Sequence, residues 1–185
     1  MMFAPIAALL FLVQSADVPA DVPAGEVVEA PAEGVEAPSE VRDPVTGELP
    51  VEPYTQDNAN AGARQFAGSG MAEAFHGQDG IRRIINATVD MSTTDPRISD
   101  IFAAHDMVRL RRTLFEQVCY ILNAGCTYTG RDMKAAHRDM GLQIDDLNIL
   151  VEHLQTAMNA EQVNFAAQNR LLSKLAPMKK DVIER

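Results

Sequence analysis

Met133, Ala136, His137 and Met140 stand at i, i+3, i+4 and i+7 within the stretch YTGRDMKAAHRDMG. On a helix these residues share one apolar stripe, so the stretch predicts a helix with a single histidine on its apolar face. An imidazole turned toward apolar neighbours needs a partner for its ring nitrogens, whether a backbone carbonyl, another side chain or a metal ion. By itself such a histidine is more often a hydrogen-bonded core residue than a ligand, and methionines beside it are more often filler. His105 reads as a loop residue ahead of Asp106, His153 as a solvated or helix-packing residue beside Leu154, and His76 as part of an early loop. The sequence has no HExxH, no glycine-rich phosphate loop and no nucleophile elbow, so nothing in it supports a hydrolase or a nucleotide enzyme.

Cys119 and Cys126 are the only cysteines. On one continuous helix they would lie about 10 Å apart, too far for a disulfide. Two half-buried thiols are therefore the expectation, unless the helix breaks at Asn123–Gly125. No CxxCH occurs, which excludes the usual c-type haem attachment.

Five or six helices have to position these groups, over roughly 110 residues, enough for one core. Ile81, Ile84, Ile85, Thr88 and Val89 form one face of a helix that starts near Gln78-Asp79-Gly80 and stops at Thr94-Asp95-Pro96. Asp95 with Pro96 caps a short turn leading into Ile98, Ile101 and Phe102. Asp106 caps a longer helix striped by Met107, Leu110, Leu114, Val118 and Ile121. Asp145 or Asp146 opens another through Leu147, Leu150, Val151, Leu154 and Met158. The last runs through Val163, Ala167, Leu171, Leu172 and Leu175 to Ala176-Pro177. No period-two run of β-branched residues occurs, so the fold class is all-α.

Charge separates this core from the start of the chain. Residues 17–57 hold eleven acids and one base and carry the whole formal charge of −10, leaving fifteen acids against fifteen bases elsewhere. A neutral core without a basic patch excludes a nucleic-acid surface. Seven of the ten prolines fall in the same acidic segment. With no apolar period, residues 17–71 are expected to form a disordered acidic linker. MMFAPIAALLFLV is shorter than the about 20 residues that a membrane span needs. It reads as the apolar core of a signal peptide over residues 1–16, which predicts export to the periplasm. A cytoplasmic protein with a misread start, or a weak membrane anchor, is the alternative.

Three stretches in order, TDPRISDIFAAHDM, YTGRDMKAAH and LAPMKKDVIE, resemble the group I truncated haemoglobins. The resemblance spans residues 72–185 and implies a truncated globin, a two-over-two helical sandwich around non-covalent haem b. It makes His137 the proximal iron ligand and Phe102 the phenylalanine packed on the porphyrin. Met133 then falls against the haem, one turn before the ligand. Leu110, Leu114 and Val118 fall on the distal helix, and Val89 stands where the family commonly has a tyrosine. Arg109, Tyr128 and Arg131 are candidates for the propionates. The other nitrogen of His137 is expected to donate to a backbone carbonyl.

Two departures accompany the resemblance. His76 and Ala124 replace glycines of the family's two Gly-Gly pairs. The family's distal hydrogen-bonding set is absent, leaving Thr88, Thr113 and Gln117 as the possible donors. Donors stabilise polarised dioxygen more than carbon monoxide or NO, so the resemblance implies a protein that binds a diatomic gas (oxygen, NO or CO), with oxygen transport as a family role, but a poor long-term oxygen store. An NO dioxygenase or weak peroxidase, served by an unidentified electron donor, is the alternative. A helical interaction module without haem is the third class, and the presence of both His137 and Phe102 counts against it.

Overall fold

Capping residues set where the helices begin. In the computed structural model, which describes residues 41–183, Asp106 accepts from the Val108 amide and opens a helix over Met107–Ile121. Asp132 does the same for Ala135 at 2.9 Å, and Asn164 for Ala167 at 2.9 Å. Gln143 and Asp146 form a reciprocal capping box. Each such cap satisfies backbone donors that the first turn leaves open. The helices are α1 (Gly70–Ala74), α2 (Gly77–Thr94), α3 (Ser99–Phe102), α4 (Met107–Ile121), α5 (Met133–Ala136), α6 (Ile144–Ala160), α7 (Phe165–Leu175) and α8 (Lys179–Val182). No strand occurs among the described residues.

The core is built around α2, which packs on α6 and α4. Its stripe of Ile81, Ile84, Ile85 and Val89 is almost fully buried, together with Val118, Ile121, Met158 and Leu171. Burying side chains of this size contributes about 1.5–3 kcal/mol each. His76 keeps the entry to α2 although it replaces a glycine, adopting the left-handed conformation (φ 59°) just before Gly77 (φ 66°). Its ring meets Glu161 at 3.1 Å, and Arg83 closes on the same carboxylate. The Arg83 guanidinium pulls the Glu161 carboxyl down to about 2.

Three sequence expectations change in the folded chain. The expected linker over residues 17–71 does not extend that far, because residues 41–69 lie on the helical domain as a strap. Within it Ala61 is fully buried, Asp57 caps a 3-10 turn over Asn58–Ala61, and the Phe66 amide donates to the Ile121 carbonyl at 2.8 Å. The rest of that segment, and the signal peptide expected over 1–16, lie outside the described residues.

The stripe from Met133 to Met140 is not one helix either. α5 stops at Ala136, His137 is its C-terminal cap, and Asp139 and Gly141 turn left-handed (φ 63° and 65°). Met133 is consequently buried while His137 is half-buried.

The third change concerns the cysteines, which form a disulfide. α4 ends at Ile121, and Asn123 and Gly125 both take positive φ, so the chain reverses and brings the two Cα atoms to 5.6 Å. The bridge ties the end of α4 to the loop that leads to α5. Closing so short a loop restricts the unfolded chain by about 2–3 kcal/mol. Reduction should therefore lower the melting temperature of the full chain by roughly 5–10 °C in calorimetry. Equal melting with and without reductant would show that the bridge contributes no stability.

Candidate functional site

Asp132 opens α5 and the chain leaves it at His137, which places the imidazole at the end of a single turn. His137 Nδ1 stands 2.7 Å from the Met133 carbonyl oxygen. A carbonyl can only accept, so Nδ1 donates to it, and in the neutral ring the lone pair is on Nε2. Nε2 makes no hydrogen bond to any described residue. A neutral imidazole oriented by a backbone carbonyl is the form in which histidine ligates a metal.

The other histidines are placed differently. His153 is buried between Ser92, 3.0 Å from its Nδ1, and Asp95, 3.1 Å from its Nε2, so both ring nitrogens are occupied. Of the two sequence expectations, a solvated or a helix-packing residue, the second holds: His153 is buried and bridges α6 to the end of α2. Asp95 also takes the Arg97 guanidinium, which holds its carboxyl well below the usual range. His76 pairs with Glu161, and His105 is exposed ahead of α4.

The expected distal residues divide by depth. Val89 and Val118 are buried in the core, while Phe102, Leu110 and Leu114 are half-buried on α3 and α4. On α6, Leu147, Leu150 and Val151 are half-buried too. Large apolar side chains left half-covered on three helices suit a flat apolar group better than water. All three suspected donors are engaged. Thr88 donates to the Ile84 carbonyl at 2.8 Å, Thr113 to the Arg109 carbonyl at 3.0 Å, and Gln117 to the Ala61 carbonyl at 3.0 Å.

Four of the expected site residues make contacts that the sequence reading did not foresee. The Met133 sulfur accepts from the Gln117 amide at 3.2 Å, inside the core beside Met178 and the strap. Arg109 donates to Glu48 at 3.0 Å and to the Leu49 carbonyl. Arg131 donates to the Glu52 carbonyl at 3.2 Å and lies over the Tyr54 ring. Tyr128 is buried, its hydroxyl donates to the Arg131 carbonyl at 2.8 Å, and burial pushes its pKa up to about 12. The three expected propionate partners are thus all engaged within the folded chain. The sequence carried no sign of this, because the acids and carbonyls that hold Arg109 and Arg131 lie in the segment read as a tether.

The profile of the bacterial-like globins matches residues 71–184. The chain belongs to that family. This globin is 25% identical over 109 residues to the group 1 truncated hemoglobin GlbN of Nostoc commune, covering 59% of this chain and 92% of the relative. Its fold is similar to that of a truncated hemoglobin from Tetrahymena pyriformis in the Fe(III) form (TM-score 0.59, 20% identity, 62% of this chain and 98% of that one). A 2/2 hemoglobin from Synechococcus, in the cyanomet state with covalently attached heme, gives a TM-score of 0.58 at 19% identity with the same coverage. Membership of the bacterial-like globins makes haem the cofactor and haem-based binding of a diatomic gas the general activity. The residues present fit that group, namely an oriented neutral imidazole and half-buried apolar side chains. The strap at 41–69 precedes the matched residues.

Proposed function

We propose that His137 is the proximal ligand of the haem and that the distal wall, formed by Val89, Leu110, Leu114 and Val118, offers no hydrogen-bond donor to a bound gas. The observation that carries this reading is the 2.7 Å bond from His137 Nδ1 to the Met133 carbonyl, which fixes the tautomer and leaves Nε2 available. Haem, when bound, supplies an iron with one open position for a diatomic gas. The chain orients the proximal imidazole on one side. On the other, the hydroxyls of Thr88 and Thr113 and the amide of Gln117 already donate to carbonyls. Phe102 and the half-buried leucines exclude water. Without a donor, oxygen loses a stabilisation of about 1–3 kcal/mol that carbon monoxide and NO hardly use, a shift of roughly 5- to 150-fold. Fast exchange of gas, in sensing or NO chemistry, suits this wall better than oxygen storage. Export to the periplasm accords with the apolar start of the chain and with a disulfide, which persists in oxidising compartments.

The test is Val89→Tyr. A phenol at this position should slow oxygen release by roughly 10-fold or more while carbon monoxide release changes much less. Val89 is 1% exposed, so the added ring also costs about 1–3 kcal/mol of overpacking, and melting of the variant is measured alongside. Slow oxygen release by the unaltered protein, unchanged by the tyrosine, would show that a donor is already in place.

A further inference from the structure

The strap presents one carboxylate to the distal helix. Asp43 accepts from the amides of Val45 and Thr46, and Asp43 and Glu48 pair through their backbones at 2.8 Å. The turn is completed by Gly47 at φ 72°, a conformation glycine adopts without a side-chain clash. It delivers Glu48, 6% exposed, between two arginines of α4. Glu48 Oε2 accepts from Arg109 Nε and from Arg112 Nη2, both at 3.0 Å, and Oε1 accepts from Arg112 Nε.

Arg112 does not end there. Its Nη1 donates to Glu116 at 3.0 Å and to the Thr129 hydroxyl at 2.5 Å, and that hydroxyl donates in turn to Glu116 at 2.7 Å. The Thr129 amide also donates to Glu116, at 3.0 Å. Three more strap contacts hold the same loop. Tyr54 donates to the Thr129 carbonyl at 3.0 Å, Asn58 accepts from the Tyr128 amide at 2.7 Å, and Asn60 donates to the Gly130 carbonyl at 3.2 Å. Two residues beyond Gly130 stands Asp132, the cap of α5, and α5 ends on His137.

We propose that Glu48 is a positioning residue of the haem site. Through Arg112 it locks the distal helix to the Thr129 loop, and that lock sets where His137 stands relative to Leu110 and Leu114. The inference rests on the reading of His137 as proximal ligand, but the lock itself belongs to the haem-free chain. Charge-assisted bonds of this kind hold geometry better than neutral ones because they are shorter and stronger. Removing the Glu48 carboxylate leaves Arg112 held by Glu116 and Thr129 alone, and Arg109 by the Leu49 carbonyl. The Arg112 guanidinium holds the Glu48 carboxyl below the ordinary glutamate range. The lock therefore persists above that range and is released only as the pH falls through the lowered pKa.

Hydrogen exchange on the full-length, haem-free chain tests the lock. Glu48→Gln keeps the shape and removes the charge, and Thr129→Val cuts the same path at its other end. Each should speed amide exchange over residues 129–137 by about 10-fold or more, leave α2 and α6 unchanged, and add little when combined. Glu48→Asp, which keeps the charge, should recover part of the protection. In the haem-loaded protein the two single variants should shift the proximal-ligand spectrum in the same direction. An equal rise in exchange across all helices would make Glu48 a general stabiliser and overturn the proposal. No rise over 129–137, or additive effects in the double variant, would overturn it as well. If the unaltered chain gives no Soret band with haem, the reading of His137 fails, and the exchange result still decides the lock.

Discussion

His137→Ala abolishes stable haem retention while leaving the helical fold in place. The side chain is half-buried at the end of α5 and, among the described residues, bonds only to its own turn, so its loss removes little packing. No other histidine among the described residues is free to replace it. His153 uses both nitrogens on Ser92 and Asp95, His76 is held at the opposite end of α2 by Glu161, and His105 is an exposed loop residue. Losing even a group that orients a metal-bound histidine weakens metal binding by about 10- to 100-fold, and loss of the ligand itself should exceed that range. Haem titration followed by the Soret band measures the loss, and circular dichroism confirms that the helices remain. Added imidazole should restore part of the spectrum. A variant that keeps the spectrum of the unaltered protein would mean that a different residue holds the iron.

Deleting residues 1–66 should unfold or severely destabilise the domain, whereas deleting 1–40 should leave it folded and able to take up haem. Every strap contact described above lies within residues 41–69. The longer deletion removes fully buried Ala61, uncovers Met133 and Met178, and strips Arg109 and Arg112 of Glu48. It also removes the partners of Tyr128, Thr129 and Gly130. Together these should cost about 3–5 kcal/mol, a large fraction of the 5–15 kcal/mol typical of a domain. Urea unfolding of the two truncated chains measures the difference. Equal midpoints would show that the strap only rests on the surface.

The sequence determined the parts of this protein that local chemistry dictates. The stripes of α2, α4, α6 and α7 and the cap at Asp106 appear in the order expected, because hydrophobic period and capping depend on residues within one or two turns. α6, by contrast, is capped by Gln143 and not by Asp145 or Asp146, which fall in its first turn. A backbone carbonyl beside one His137 nitrogen was also expected from the YTGRDMKAAH stretch, and Met133 supplies it one turn earlier. What only the tertiary structure decided involves partners distant in the chain. Glu48 meets Arg109 and Arg112 across 61 and 64 residues, and nothing in a Pro-rich acidic run marks this carboxylate, buried among the described residues, for that role. Arg109, Tyr128 and Arg131 looked free for the propionates because their actual partners were assigned to a tether. Cys119 and Cys126 were expected as thiols unless the helix broke at Asn123–Gly125. Whether that break brings the two sulfurs together was decided by the positive φ of Asn123 and Gly125. In each case a side chain's use depended on what the fold brought beside it, and sequence spacing encodes that only when the partner lies within the same helix or turn.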